Sequence, residues 1–147
     1  VEIKPIDAEE TISLRHQILR SNQPREACQY PKDGEANSFH LGAFHGDTLI
    51  SIASFYHEKT EKLETEHQYR LRGMATLLEW RGMGAGTLLI KEAEAILKKR
   101  NAKVLWCNAR TSARGYYDRL HFHQVGEVFD LPPIGPHVVL YKEIEKH

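Results

Sequence analysis

Three glycines spaced two apart, in Arg81-Gly82-Met83-Gly84-Ala85-Gly86, constrain this chain more than any other stretch. Before them, Tyr69, Leu71 and Gly73 alternate with Arg70, Arg72 and Met74 at the period of a strand. After them, Leu88, Leu89, Ala93, Ile96 and Leu97 recur at helical spacing, with Lys91, Glu92, Glu94, Lys98 and Lys99 on the other face. The chain therefore turns from strand into helix at the glycines. A helix starting there aims unpaired backbone N–H groups, and the positive end of its dipole, at whatever lies above Gly84 and Gly86. With no Cβ in the way an anion can come close, and a phosphate is the natural ligand.

Two familiar phosphate loops do not fit. A Walker A loop ends in Gly-Lys-Ser/Thr, and Gly86-Thr87 lacks the lysine. A dinucleotide fingerprint needs G-x-G-x-x-G, whereas these glycines are evenly spaced. What remains is Arg-x-x-Gly-x-Gly, a short pattern that an ordinary flexible turn before a helix could also produce.

At 147 residues the chain suits a single domain, 1–147, with enough length to bury a core. Twenty Lys plus Arg balance twenty Asp plus Glu, so no broad basic field is available for nucleic acid or anionic lipid, and a small-molecule partner is expected. No apolar run approaches the roughly 18 residues of a membrane span, and the charged start VEIKPIDAEE is unlike a secretion signal. Cys28 and Cys107 are too few for a disulfide framework and read as free thiols. A cytoplasmic protein, monomeric or weakly dimeric, is the expectation.

In order, residues 1–6 read as a strand, and Asp7, with Glu10 three residues on, resembles the cap of a helix running to about Leu19. Ala8, Ile12, Leu14, Ile18 and Leu19 would form its buried stripe, with Arg15, His16 and Arg20 around the rest. Residues 21–37 are a polar loop with one short helical turn. Strands at 39–44 and 48–55 flank the hairpin signal His45-Gly46-Asp47. Past the central strand and long helix come a strand at 104–107, a helix at about 112–120, and two closing strands at 122–129 and 138–142 around Pro132-Pro133-Ile134-Gly135-Pro136-His137. The order β-α-β-β-β-α-β-α-β-β is that of an α+β sheet with helices on its faces.

The second half gives the glycine loop its context. Asn108 follows Trp106-Cys107, and after it comes Ala113-Arg114-Gly115-Tyr116-Tyr117-Asp118-Arg119-Leu120-His121-Phe122. Together with Arg-x-x-Gly-x-Gly, this order resembles the GNAT superfamily of N-acetyltransferases. The resemblance implies an α/β sandwich, with a mixed, mostly antiparallel sheet of about seven strands and helices on both faces, and acetyl-CoA as cosubstrate with no metal. It gives Arg81, Gly82, Met83, Gly84, Ala85, Gly86 and Thr87 to the pyrophosphate, and Met74, Ala75 and Thr76 to the pantetheine arm, the Met74 N–H serving as oxyanion donor. Asn108, Ala113 and Gly115 are also expected near the cofactor, and Tyr117 matches the family's proton donor to the departing thiolate. His121 stands where the family usually has glycine, so strain is expected if the chain needs a left-handed residue there.

Arg15-His16-x-Ile18-Leu19-Arg20, Asn22-Gln23-Pro24, residues 71–76, residues 105–113, Gly115-Tyr116-Tyr117 and residues 132–137 are similar to the bacillus-type glyphosate N-acetyltransferases, or an optimised relative of them. That likeness implies a small amine flanked by carboxylate and phosphonate. Such a substrate needs clustered cations, and arginine's fork suits both anions. Arg72, Arg110 and Arg20 are the expected ligands, with Arg70 an alternative to Arg72. His137, which matches a family motif, would touch the phosphonate and remove the amine proton. Other acidic amino acids, a protein N-terminus, or acyl-CoA sensing without turnover are the competing expectations. His121 and His123 read as surface or packing residues, since no third metal ligand accompanies them.

Overall fold

The structure, a computed structural model, describes residues 1–145. Its elements follow in the expected order: β1 (Glu2–Ile6), α1 (Ala8–Leu14), β2 (Phe39–His45), β3 (Thr48–His57), β4 (Gln68–Thr76), α2 (Ala85–Lys99), β5 (Val104–Arg110), α3 (Arg114–Arg119), β6 (His123–Leu131) and β7 (Gly135–Glu143). The seven strands hydrogen-bond in the order β1-β2-β3-β4-β5-β7-β6. β4 and β5 run parallel, while β1/β2, β2/β3, β5/β7 and β6/β7 are antiparallel. The chain forms two compact units, the first made of Val1–Tyr56 and Leu71–Ala95, the second of His57–Arg70 and Ile96 onward.

In the first unit the β2–β3 hairpin closes where His45 pairs with Thr48, around Gly46-Asp47. Ile50, Ile52 and Phe55 of β3 are fully buried, as is Leu89 of α2. Burying each such side chain contributes about 1.5–3 kcal/mol. Leu14, Ile52 and Ala75 form a core cluster joined by Ile6, Ile18, Leu49 and Leu77.

The first helix departs from expectation. It ends at Leu14, and Arg15–Leu19 make a wider π turn in which the Arg20 N–H bonds to the Arg15 carbonyl at 3.0 Å. Arg15 lies fully buried instead of on the outer face, and Leu19 is 39% exposed instead of within the stripe. The cause is polar: Arg15 is drawn inward by an acidic partner, and the extra residue in the turn shifts everything after it. Asp7 occupies the N-cap position, but its side chain makes no capping bond. The expected short turn in the following loop is a 3-10 segment, Arg25–Cys28.

In the second unit Gln68, Tyr69 and Arg70 pair with Val104, Leu105 and Trp106, and β5 pairs with β7 from Val104↔Glu143 to Arg110↔His137. Asn108, Ala109 and Arg110 thus belong to the strand, which the apolar run alone had ended at Cys107; pairing with β7 carries it three residues further. The expected helix at 112–120 is shorter, a 3-10 turn Thr111–Ala113 followed by α3. His121 stops it: its φ is +69°, its N–H bonds to the Asp118 carbonyl, and the Phe122 N–H bonds to the Tyr117 carbonyl. This is a Schellman ending with histidine in the left-handed position, and the Phe122 and Tyr117 rings make the accompanying apolar contact at 5.4 Å.

Candidate active site

In the first unit β4 ends where the glycine loop begins. Ser51 donates to the Ala75 carbonyl at 3.0 Å, and the Leu77 N–H bonds to the Ile50 carbonyl at 2.8 Å, so both groups face β3. Backbone groups alternate along a strand, and the Met74 N–H therefore faces the other edge. Within β4, Gly73 has φ +65°; a Cβ there would come 3.1 Å from the Tyr30 ring and 3.3 Å from Arg15 Nε. Beyond β4, Arg81 Nε donates to the Thr76 carbonyl at 3.3 Å.

Gly82 and Gly84 also have positive φ, +77° and +85°, but nothing lies within 4 Å of where their Cβ atoms would be. Their role is conformational, and they leave open space before α2. The helix starts at Ala85, and the Leu88 N–H bonds back to the Gly84 carbonyl. No acidic residue sits in its first turn, whereas Lys98 and Lys99 occupy the last. Protein carboxylates thus leave the positive N-terminal end of α2 available to an anion.

Arg20 and Arg72 converge on one ring. The Arg72 guanidinium lies 4.3 Å from the centroid of Tyr30, that of Arg20 5.4 Å, and that of Arg15 4.0 Å. Arg15 is committed elsewhere: it donates to both Asp33 carboxylate oxygens at 2.7 and 3.1 Å, to the Cys28 carbonyl, to Ser54 Oγ and to Tyr56 Oη. Tyr56 Oη donates to Asp33 Oδ1, and His40 bridges Ser54 Oγ and the Asp33 carbonyl. Burial would raise the Asp33 pKa, yet the hydrogen bonds from Arg15, Tyr56 and the Tyr30 N–H outweigh it and hold the carboxyl below its usual value. For His40 burial dominates and lowers the pKa, keeping the ring neutral.

Tyr30, Arg15 and Asp33 were not singled out from sequence. A signal existed for one of them: Arg15 sits four residues after Thr11, three after Ile12 and three before Ile18, a core-facing position. The alternative Arg70 is excused from the arginine set, since Glu58 pairs with it at 2.9 Å and Trp106 lies under it at 5.2 Å.

In the second unit Arg110 and His137 are register partners, so their side chains leave the same face of the sheet. Asn108 shares that face two residues back along β5. His137 is buried, and its Nδ1 lies 2.8 Å from the Gly135 carbonyl. A carbonyl only accepts, so Nδ1 carries the proton and a neutral His137 has its lone pair on Nε2. The Phe129 ring lies 6.1 Å away.

Tyr117 belongs to the opposite face. It neighbours Cys107, which alternates with Asn108, and packs against Tyr116 at 5.2 Å. Its hydroxyl has no hydrogen-bond partner among the described residues. Burial first, then Cys107 and Tyr116, raise its pKa far above the ordinary phenol value, so it keeps its proton. Cys107 is itself pushed up to about 12 by burial and is inert as a nucleophile. Ala113 caps α3, and Gly115 is exposed, a Cβ there coming only into ordinary contact with Arg119 Nη1 at 3.9 Å. Among the described residues no group of three or more His, Cys, Asp or Glu could hold a metal, and His121 and His123 are both exposed. Among the described residues no helix is long and apolar enough to cross a membrane.

Comparison with known proteins agrees with this layout. Residues 7–122 match the model of the Acetyltransferase (GNAT) family. The Bacillus subtilis (strain 168) protein described as an uncharacterized N-acetyltransferase, YitI, is 47% identical over 144 residues, covering 98% of this chain and 97% of its own. Among solved structures, an aminoglycoside 6'-N-acetyltransferase complexed with coenzyme A superposes with TM-score 0.79 at 12% identity, over 100% of this chain and 99% of that one. Escherichia coli ElaA gives 0.74 at 17%, over 97% and 100%.

Proposed function

Because the chain belongs to the GNAT acetyltransferase family and is an acetyl-CoA-dependent N-acetyltransferase, we propose that it acetylates the amine of glyphosate or a similar small compound bearing phosphonate and carboxylate groups. The observation that carries this reading is the pairing of Arg20 with Arg72 at the Tyr30 ring. Two forked cations held close together suit two neighbouring anionic groups, and Arg110 beside His137 supplies a third. A polycationic acceptor, such as the aminoglycoside in one neighbour's name, would be repelled by the same residues.

In this mechanism the residues Arg81 to Thr87 and the first turn of α2 hold the pyrophosphate, and Met74, Ala75 and Thr76 meet the pantetheine arm, with Asn108, Ala113 and Gly115 assisting. The Met74 N–H, facing the edge away from β3, binds the thioester oxygen as negative charge develops on it. His137 Nε2 accepts a proton from the substrate ammonium, and the free amine attacks the thioester carbon directly. The C–S bond breaks and the thiolate takes the Tyr117 proton; as the amide forms, its nitrogen loses its remaining proton, which returns through water to the Tyr117 phenolate, and His137 releases the proton it took to solvent. His137 also contacts the phosphonate.

The reading takes residues 1–147 as a single N-acetyltransferase domain, monomeric or weakly dimeric, in the cytoplasm, where its two buried free cysteines would remain reduced. The test is release of coenzyme A thiol with glyphosate, phosphono-amino acids, aspartate and a short peptide offered separately. Turnover with the phosphonates supports the reading. Turnover confined to the peptide, or none with acetyl-CoA bound, overturns it.

A further inference from the structure

We propose that Tyr30 is a positioning residue that makes Arg20 and Arg72 act as one clamp for a doubly anionic ligand. The inference rests on the anionic-substrate reading above and gives it a device.

Arg20 closes the π turn after α1, whereas Arg72 stands on β4. Two guanidiniums repel each other, and nothing in those two elements alone brings them together. Tyr30 does, by offering its electron-rich ring within 5.4 Å of both guanidinium centres. The ring attracts a guanidinium through its π face, and Arg20 Nη1 also donates to Gln23 Oε1 at 3.2 Å.

The ring cannot drift. Tyr30 is 7% exposed, its N–H donates to Asp33 Oδ2 at 3.0 Å, and the Asp33 N–H returns a bond to the Tyr30 carbonyl at 3.0 Å. Asp33 is fixed in turn by Arg15 and Tyr56. Against β4, the glycine at position 73 makes room for the ring edge, since a Cβ there would stand 3.1 Å from it. Tyr30 thereby ties the two arginines to one rigid support. A ligand with two anionic groups gains from both cations together, while a monoanion of the same size can use only one.

The experiment is calorimetric binding of 3-phosphonopropionate and of propionate to the wild type, Tyr30→Phe and Tyr30→Leu, with coenzyme A affinity measured in each. The ring is what matters, so Tyr30→Phe is expected to stay within about twofold of wild type, while Tyr30→Leu loses about tenfold for 3-phosphonopropionate and little for propionate or coenzyme A. On substrate, the same variant should raise KM more than it lowers kcat. Equal binding of 3-phosphonopropionate by Tyr30→Leu and wild type overturns the proposal. No binding of it by the wild type overturns the anionic-substrate reading and the clamp with it. Should Tyr30→Leu fail to fold, Arg20→Lys keeps the charge but loses the planar stack; an unchanged affinity there overturns the clamp, and a fivefold or larger loss supports it.

Discussion

Arg110 and His137 face each other across the β5–β7 pair, and the Gly135 carbonyl fixes which imidazole nitrogen of His137 is free. An arginine thus stands beside an imidazole whose tautomer is set by its own strand. His137→Asn keeps a donor near the Gly135 carbonyl but has no basic nitrogen. It is expected to lower kcat about 10²- to 10⁴-fold with acetyl-CoA affinity unchanged, measured by steady-state thiol release.

Tyr117→Phe removes a hydroxyl that bonds to nothing among the described residues while keeping the ring against Phe122 and Tyr116. Turnover is expected to fall by about 10²-fold or more. Melting temperature should hold or rise slightly, because no internal hydrogen bond is lost. A variant that melts far lower, or turns over normally, contradicts the proton-donor role.

Gly73 and Gly82 share a positive φ but not their surroundings. Gly82→Ala meets only backbone strain, about 1 kcal/mol, and its main effect should be weaker acetyl-CoA binding. Gly73→Ala adds a collision with Tyr30 and Arg15, so a loss of about 1–3 kcal/mol is expected. Denaturant titration of the two variants separates strain alone from strain plus collision.

His121→Gly tests the opposite sign. The position is left-handed and exposed, so replacing histidine should relieve about 1 kcal/mol of strain, less the extra freedom glycine gains on unfolding. A small rise in midpoint by chemical denaturation is the expected result, without change in kcat.

Acid should loosen the first unit in two stages. The folded pKa of His40 is lowered from 6.5, so below that value the unfolded chain takes up a proton the folded chain refuses, and stability falls. Asp33 is depressed below 3.8, so its contribution, complete above that value, is lost as pH drops further toward the folded pKa. His40→Gln should flatten the melting curve between pH 7 and 5 while leaving the deeper acid transition, a comparison that calorimetry at stepped pH provides.

The fold was legible where patterns are local. The period-two run before Gly82 and the helical run after it became β4 and α2, and the element order followed from the punctuation between them. Arg20 and Arg72, two of the residues expected to bind the anion, stand together in the first unit, and Arg110 and His137 stand together in the second. What escaped was set by distant partners. Arg15 reads as one more surface cation until Asp33, far along the loop, takes it inward, and Tyr30 looks like an ordinary loop aromatic until three arginines meet on it. Strand β5 ran past its apolar stretch for the same reason, since β7 supplied pairing that no nearby residue announces.

The π turn at Arg15–Leu19 acts as a phase setting for the residue that follows it. Each helical residue advances the chain by about 100° around the axis, so deleting a single one from the turn would swing Arg20 by about that angle. The direction of that cation is therefore written in the number of residues before it as much as in its identity, and an insertion or deletion between α1 and Arg20 would turn it away from the Tyr30 ring without changing either residue.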